Sequence, residues 1–259
     1  MEHCLAYFTV KKRGCFKVNI VYYYILTAIA GLVVGSFLNV CISRIPEEES
    51  IVAPSSHCPK CKTKLETLDL IPVISYIRLG GRCRYCNEPI SIRYPIVEIL
   101  TAIVFSFIYF RHGLSSASFI YALFSSLVII VSFVDIEKML VPDIVVLFGI
   151  GATLIYYCYS GDIIKSLYGI CFGFLFMWTI GAAAKLAFRK DALGDGDIKF
   201  VVMLGAFMGA EKTFMAIAVA SIIGAIIGIM LILAGRLKKE DYIPFIPFLA
   251  LGAVVSGLI

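Results

Sequence analysis

The sequence predicts an all-α polytopic membrane protein of about eight transmembrane helices with one small metal-binding loop. Three observations carry this. Of the 259 residues, 60% are hydrophobic and only 16% are charged, against about 25% charged in an ordinary soluble domain. The apolar residues fall in long runs, each near the 20 or so residues that a membrane helix needs. The one extended polar stretch holds four cysteines in two tight pairs.

The runs, in order, are Ile20–Ile42, Pro95–Phe110, Ser115–Val134, Ile144–Tyr159, Ile163–Phe188, Ile198–Gly209, Thr213–Ala234 and Ile243–Ile259. The first is too long for the apolar core of a cleavable signal and lacks small residues for cleavage behind it, so it reads as a retained span. The sixth is short enough for a re-entrant half-span, and the charges decide against that. With residues 43–94 in the cytoplasm, alternate loops on that side carry Arg44, Lys60, Lys62, Lys64, Arg78, Arg82, Arg84, Arg93, Lys138, Lys185, Arg189, Lys190, Lys199, Arg236, Lys238 and Lys239. The opposite loops carry only Arg111, Lys165 and Lys212. That is the positive-inside asymmetry, and a re-entrant sixth run would put Arg236–Lys239 on the wrong side. The chain thus divides into an extension (1–19), a first span (20–42), a cytoplasmic loop (43–94) and a helical membrane domain (95–259). The basic extension, with Lys11, Lys12, Arg13 and Lys17, is the one segment that departs from the charge rule. The net charge of +5 is spread over membrane-flanking loops, and no nucleic-acid partner is expected.

Small residues four apart recur within the spans: Gly31 with Gly35, Gly169 with Gly173, Gly205 with Gly209, Gly224 with Gly228. This spacing lets helix backbones approach closely in a membrane.

Cys58-Pro-Lys-Cys61 and Cys83-Arg-Tyr-Cys86 are two C-x-x-C pairs. Four thiolates so spaced can close a tetrahedral site, and zinc is the usual occupant. Two disulfides or reactive thiols are the alternative, but disulfides need an oxidising compartment and the charges place this loop in the cytosol. A four-cysteine site leaves no open coordination position, so its expected role is structural: a loop this small gains folding energy from a metal.

Asp135 closes the third span, and Asp197 opens the sixth within Gly194-Asp195-Gly196-Asp197, with Lys199 after it. Carboxylates at the edge of hydrocarbon are costly and signal function. The topology sets both at one membrane face. Two close carboxylates share a proton, one serving as general base toward water and the other as a proton donor toward a carbonyl. Proton coupling in a transporter uses the same residue types. Gly194 and Gly196 are expected to let the backbone bend and approach a partner. Lys199 either tunes Asp197 or snorkels to the interface. Asp143, after Pro142, reads as a first-turn residue of the fourth span, and Asp195 and Glu137 as water-facing. Glu98, inside the second span, needs a partner, with Asn39 or an arginine the candidates, and is either structural or catalytic.

Together the motifs resemble the type IV prepilin peptidases, a bacterial family of membrane aspartic proteases of the GxGD type. The likeness runs from about Ala30 to Leu237: Gly35-Ser-Phe-Leu-Asn-Val40 with Arg44 and Pro46, the cysteine pairs, Ile71-Pro-Val-Ile-Ser-Tyr76, Gly81-Arg-Cys83, Ile90-Ser-Ile-Arg-Tyr-Pro-Ile-Val-Glu98, Asp135 with Pro142-Asp143, and Gly194-Asp-Gly-Asp-Ile-Lys199. The resemblance implies an enzyme of the bacterial inner membrane that cuts a basic leader from prepilins or pseudopilins at the cytoplasmic face, after a glycine and usually before a phenylalanine. Asp135 and Asp197 stand at the positions of the family's two catalytic aspartates. It also implies N-methylation of the new N-terminus with S-adenosylmethionine, an activity associated with the first cytoplasmic loop. The chain departs from the family in two places: Asp69-Leu70 stands where Asp-Asn is common before Ile71-Pro72, and the basic N-terminal extension is unusual. Two other functions compete. A proton-coupled transporter predicts carboxylates spread through the midplane and broken spans. A zinc-bearing membrane scaffold without chemistry accounts for the cysteines but not for the glycine-framed aspartate. Presenilin-like proteases share the chemistry but lack the cysteine loop.

Overall fold

In the computed structural model, the described residues are 20–188, 194–236 and 242–257. The basic extension, with Cys4 and Cys15, and the loop cations Arg189, Lys190, Lys238 and Lys239 lie outside them. The helices are α1 (Ile20–Arg44), α2 (Ile74–Arg78), α3 (Arg93–His112), α4 (Ser116–Lys138), α5 (Asp143–Ser160), α6 (Ile163–Phe188), α7 (Asp195–Met208), α8 (Ala210–Leu233) and α9 (Ile246–Val255). Each apolar run of the sequence forms one helix, and the short α2 is added within the polar loop. Among the described residues, six helices are long and apolar enough to cross a membrane. The two others, α7 with 14 residues and α9 with 10, are shorter than the bilayer core. The protein is a multi-pass helical membrane protein in which α7 and α9 are short and sheltered by the longer helices.

Local chemistry sets the helix ends. Ser115 caps α4 by accepting the Ser118 N–H. Met139 (φ 52°) and Gly161 (φ 89°) close α4 and α5 in the left-handed region. Pro142 stands just before α5, and its φ of −69° suits a helix entry. At the far end of α7, Gly209 (φ 80°) turns the chain directly into α8, and the Tyr157 hydroxyl donates to the otherwise open Phe207 carbonyl at 2.8 Å.

Packing follows the small residues. A Cβ on Gly31 would lie 2.5 Å from the Ala102 Cα, and one on Gly35 would lie 2.7 Å from the Glu98 Cα. So α1 and α3 touch backbone to backbone. A Cβ on either Gly169 or Gly205 would run into the carbonyl of the other, which locks α6 against α7. Gly224 and Gly228 do not serve this way: a Cβ at Gly224 would meet the Phe248 and Phe245 rings at 3.5 and 3.7 Å, ordinary contacts. α4 runs through the middle, with 61% of its most apolar window buried, and α7 buries Phe200, Val201, Met203 and Leu204 completely.

One end of the bundle gathers the C-termini of α1 and α4 and the N-termini of α3, α5, α7 and α9. Polar ties cross it: Arg93 to Glu137 at 2.5 Å, Lys138 to Glu47, and Lys199 to Asp143 at 2.6 Å. The polar loop folds over this end.

Gly169→Ala is expected to cost about 1–3 kcal/mol, because its Cβ has no room against a backbone carbonyl. Thermal unfolding of the detergent-purified protein should show a lowered midpoint for Gly169→Ala and an unchanged one for Gly224→Ala.

Candidate functional site

Asp135 sits in the last turn of α4. Its residue is 7% exposed, and its Oδ2 accepts the N–H of Ile246, the first residue of α9, at 3.1 Å. A helix N-terminus offers unpaired N–H groups and a positive dipole end, so α9 stabilises this carboxylate while the carboxylate caps α9. Sequence reading missed this partner. The nearest signal was Pro244 and Pro247, which stop a helix from starting at Ile243 and move its first N–H to Ile246.

Asp197 occupies the first turn of α7. Its carboxylate accepts a hydrogen bond from the Gly194 backbone and lies close enough to Asp135 for the two charges to act on each other. The two framing glycines differ in kind. Gly196 is needed for space: a Cβ there would lie 2.5 Å from the Val141 Cγ2. Gly194 has an ordinary φ of −72°, and a Cβ there would make a normal 3.5 Å contact with Asp197. Lys199 reaches neither aspartate of the pair. It donates to Asp143, which ties the start of α7 to the start of α5. Asp195 is exposed, and Glu137 pairs with Arg93.

Asp135 and Asp197 line one cavity of about 2020 Å³. Its walls are apolar side chains of α1 (Phe37, Leu38, Cys41) and α4 (Leu123, Leu127, Ile130). Arg44 shapes its rim by donating to the Ser50 and Pro54 carbonyls at 2.9 and 2.8 Å, which hold the segment carrying Ile51 over the opening. Such a space accepts an apolar helix along its walls and water at its polar end.

The four cysteines converge. Cys58, Cys61, Cys83 and Cys86 place their sulfurs within 4.8 Å of one another, and the Cys58 and Cys86 sulfurs are 3.8 Å apart. A zinc ion with four bonds near 2.3 Å needs an edge of about 3.8 Å between sulfurs, so the donor set fits this ion. The two knuckles repeat one backbone design. Cys58 N–H bonds to Thr63 O and Lys62 N–H to Cys58 O, as Cys83 N–H bonds to Glu88 O and Asn87 N–H to Cys83 O. Lys62 (φ 58°) and Asn87 (φ 60°) take the left-handed turn at the same step. The N–H groups of each turn face the sulfurs, and hydrogen bonds from Thr63 pull the Cys61 thiol down to about 6, which favours the thiolate a metal requires. None of the described cysteines is in a disulfide.

Glu98 does not pair with Asn39 or with an arginine. Its Oε2 accepts the Val73 N–H at 2.7 Å, and the Ser36 hydroxyl bonds to it as well. Val73 is held at φ 61° and ψ −48°, a conformation that a β-branched residue rarely adopts. Asn39 instead donates to the carbonyls of Gly35 and Tyr94. Glu98 and Asn39 line a second cavity of about 600 Å³ between the loop and the membrane helices.

Fold and site together define a class: a polytopic helical membrane protein that gathers two carboxylates at one membrane face beneath a four-thiol loop. Residues 29–112 match the bacterial peptidase A24 N-terminal domain, and residues 122–229 match the type IV leader peptidase family. A prepilin leader peptidase/N-methyltransferase of Bacillus subtilis is 36% identical, over 89% of this chain and 92% of its own length. One from Pseudomonas aeruginosa is 30% identical over 90% and 89%, and one from Aeromonas hydrophila 31% over 91% and 90%. No solved structure matches the chain. The chain belongs to the type IV leader peptidase family.

Proposed function

We propose that the protein is an aspartic endopeptidase of the bacterial inner membrane. It cuts the leader from prepilins or pseudopilins at the cytoplasmic face and then methylates the new N-terminus. The observation that carries the peptidase reading is the meeting of Asp135 and Asp197, far apart in sequence, at the polar end of one apolar-walled cavity. The names of the relatives support the substrate and the second activity. The transporter alternative lacks support, since both carboxylates stand at one end of the bundle.

The substrate has a polar leader followed by an apolar helix. That helix lies along the α1 and α4 walls, and the leader stays in water. The scissile bond then meets the aspartates where hydrocarbon ends. The ionised carboxylate takes a proton from water as its oxygen attacks the carbonyl carbon. The protonated carboxylate donates a hydrogen bond to the carbonyl oxygen, and the amide nitrogen leaves with a proton as the C–N bond breaks. The Ile246 N–H holds Asp135 in place through this cycle, and Gly196 and the Lys199–Asp143 pair set the position of Asp197. A cytoplasmic setting for this end agrees with the cations there.

Zinc, held by Cys58, Cys61, Cys83 and Cys86, would fix the loop, and with four protein ligands it would leave no open position for cleavage chemistry. S-adenosylmethionine, when bound, would supply a methyl group on a sulfonium to the new N-terminal amine; the C–S bonding pair would stay on sulfur and the proton lost by the amine would pass to water.

Asp135→Asn and Asp197→Asn are each expected to slow cleavage of a co-expressed prepilin by about two to four orders of magnitude while the protein still accumulates in the membrane. Normal processing by either variant removes that aspartate from the mechanism. Replacing Cys58 and Cys61 together by serine should empty the metal site and make the loop sensitive to protease. Elemental analysis of the purified variant checks this, and unchanged zinc content refutes the site.

A further inference from the structure

The second cavity is backed against the first. In α1, residues Val34, Leu38 and Cys41 line the aspartate cavity, whereas Ser36, Asn39 and Ser43 line the other. At 100° per residue these sets lie on opposite faces of the helix. Glu49, just past the end of α1, lines both spaces. The second cavity's volume of about 600 Å³ is that of a small-molecule site.

Two buried acceptors in it lack the partner their chemistry calls for. Glu98 is 6% exposed and takes only the neutral donors Val73 N–H and Ser36 Oγ–H, and among the described residues no cation acts on it. A buried carboxylate without a countercharge is costly. Asn39 is 1% exposed. Its Nδ2 donates to two carbonyls, at 3.3 and 3.1 Å, which fixes the orientation of the amide. Its Oδ1 accepts nothing. Both groups seek N–H donors, and Glu98 also seeks positive charge. A compact ammonium, with three donors and a full charge, satisfies both.

We propose that this cavity is the methyl-transfer pocket and that Glu98 and Asn39 receive a primary α-ammonium group in it. The assignment rests on the methyltransferase reading above. Two participants in that reaction carry the group: the amino-acid end of S-adenosylmethionine, and the N-terminus freshly exposed by cleavage. Depth suits the second as well as the first. Glu98 lies little more than a turn inside α3, as Asp135 lies one turn inside α4, both at the same end of the bundle. The product amine therefore needs to move around the tip of α1 rather than along the membrane normal.

The test uses full-length protein in detergent. Binding of S-adenosylhomocysteine, of methylthioadenosine (the same nucleoside thioether without the amino-acid end) and of a peptide with the mature pilin N-terminus is measured calorimetrically for the wild type, Glu98→Gln and Ser75→Trp. Ser75 lines the cavity without bonding to Glu98, so its replacement by tryptophan fills the space. Glu98→Gln is expected to weaken S-adenosylhomocysteine, the peptide, or both by about tenfold or more, and to leave methylthioadenosine unchanged. Loss confined to the nucleoside assigns the carboxylate to the donor, and loss confined to the peptide assigns it to the acceptor. Ser75→Trp should exclude the ligands that Glu98→Gln weakens. Both variants should keep full zinc content and cleave prepilin at the wild-type rate. Two variants that bind and methylate as the wild type does overturn the pocket while the methyltransferase reading stands. Loss of zinc or of cleavage in Glu98→Gln, with ligand binding intact in Ser75→Trp, marks Glu98 as a structural brace and also overturns it. A wild-type protein that binds none of the three and methylates nothing removes the methyltransferase reading itself.

Discussion

A carboxylate left bare beside hydrocarbon costs more than a membrane protein can readily spare, so Asp135 and Asp197 must each be held by fixed dipoles. Much of the architecture at the polar end of the bundle follows from that constraint. Asp135 needs a donor, and α9 begins where its first N–H can supply one. Asp197 needs a donor too, and the start of α7 provides Gly194. Both donors are backbone groups at helix N-termini. They bring no competing side-chain proton and no full charge, so they anchor the carboxylates without fixing which of the two is ionised.

The short helices gain meaning from this. A helix that crosses the whole bilayer has its ends in water. One of 14 or 10 residues brings an end partway into the membrane, and only neighbouring protein can shelter it. α7 is sheltered by α6, and that contact depends on Gly169 and Gly205 lying backbone to backbone. The chemistry at one end of α7 therefore depends on packing along its length. The paired-cysteine knuckles act similarly at the other cavity. They shape the loop from which Val73 points its N–H at Glu98, so a four-thiol cluster in the polar loop and a buried carboxylate of α3 belong to one mechanical unit with α1.

Some of this was legible in the residues alone. Periodic composition gives eight apolar helices in order, because a membrane span must be long, apolar and continuous. The cysteine spacing gives the convergence of four thiols, because two C-x-x-C turns each bring a pair of sulfurs to one point. The string around Asp197 and the acid at the end of the third apolar run mark the two carboxylates, because charges there are rare. Other features left no local trace. Lys199 reads as a neighbour of Asp197 but turns to Asp143. Glu98 reads as a partner of Asn39 or of an arginine but bonds to a backbone N–H 25 residues away in the chain. Gly194 and Gly196 read alike, yet only Gly196 is pressed against another segment.

The sequence by itself determined the membrane class, the helix order, the cluster of four thiols and the pair of acids at one face. Those properties depend on composition and on charge placed along the chain, which one dimension records. The tertiary structure alone decided which helices run short, which backbone donor serves each carboxylate, and how α1 parts two cavities. Each of these turns on backbone groups and close approaches between segments distant in sequence, and a backbone N–H is the same in every residue but proline.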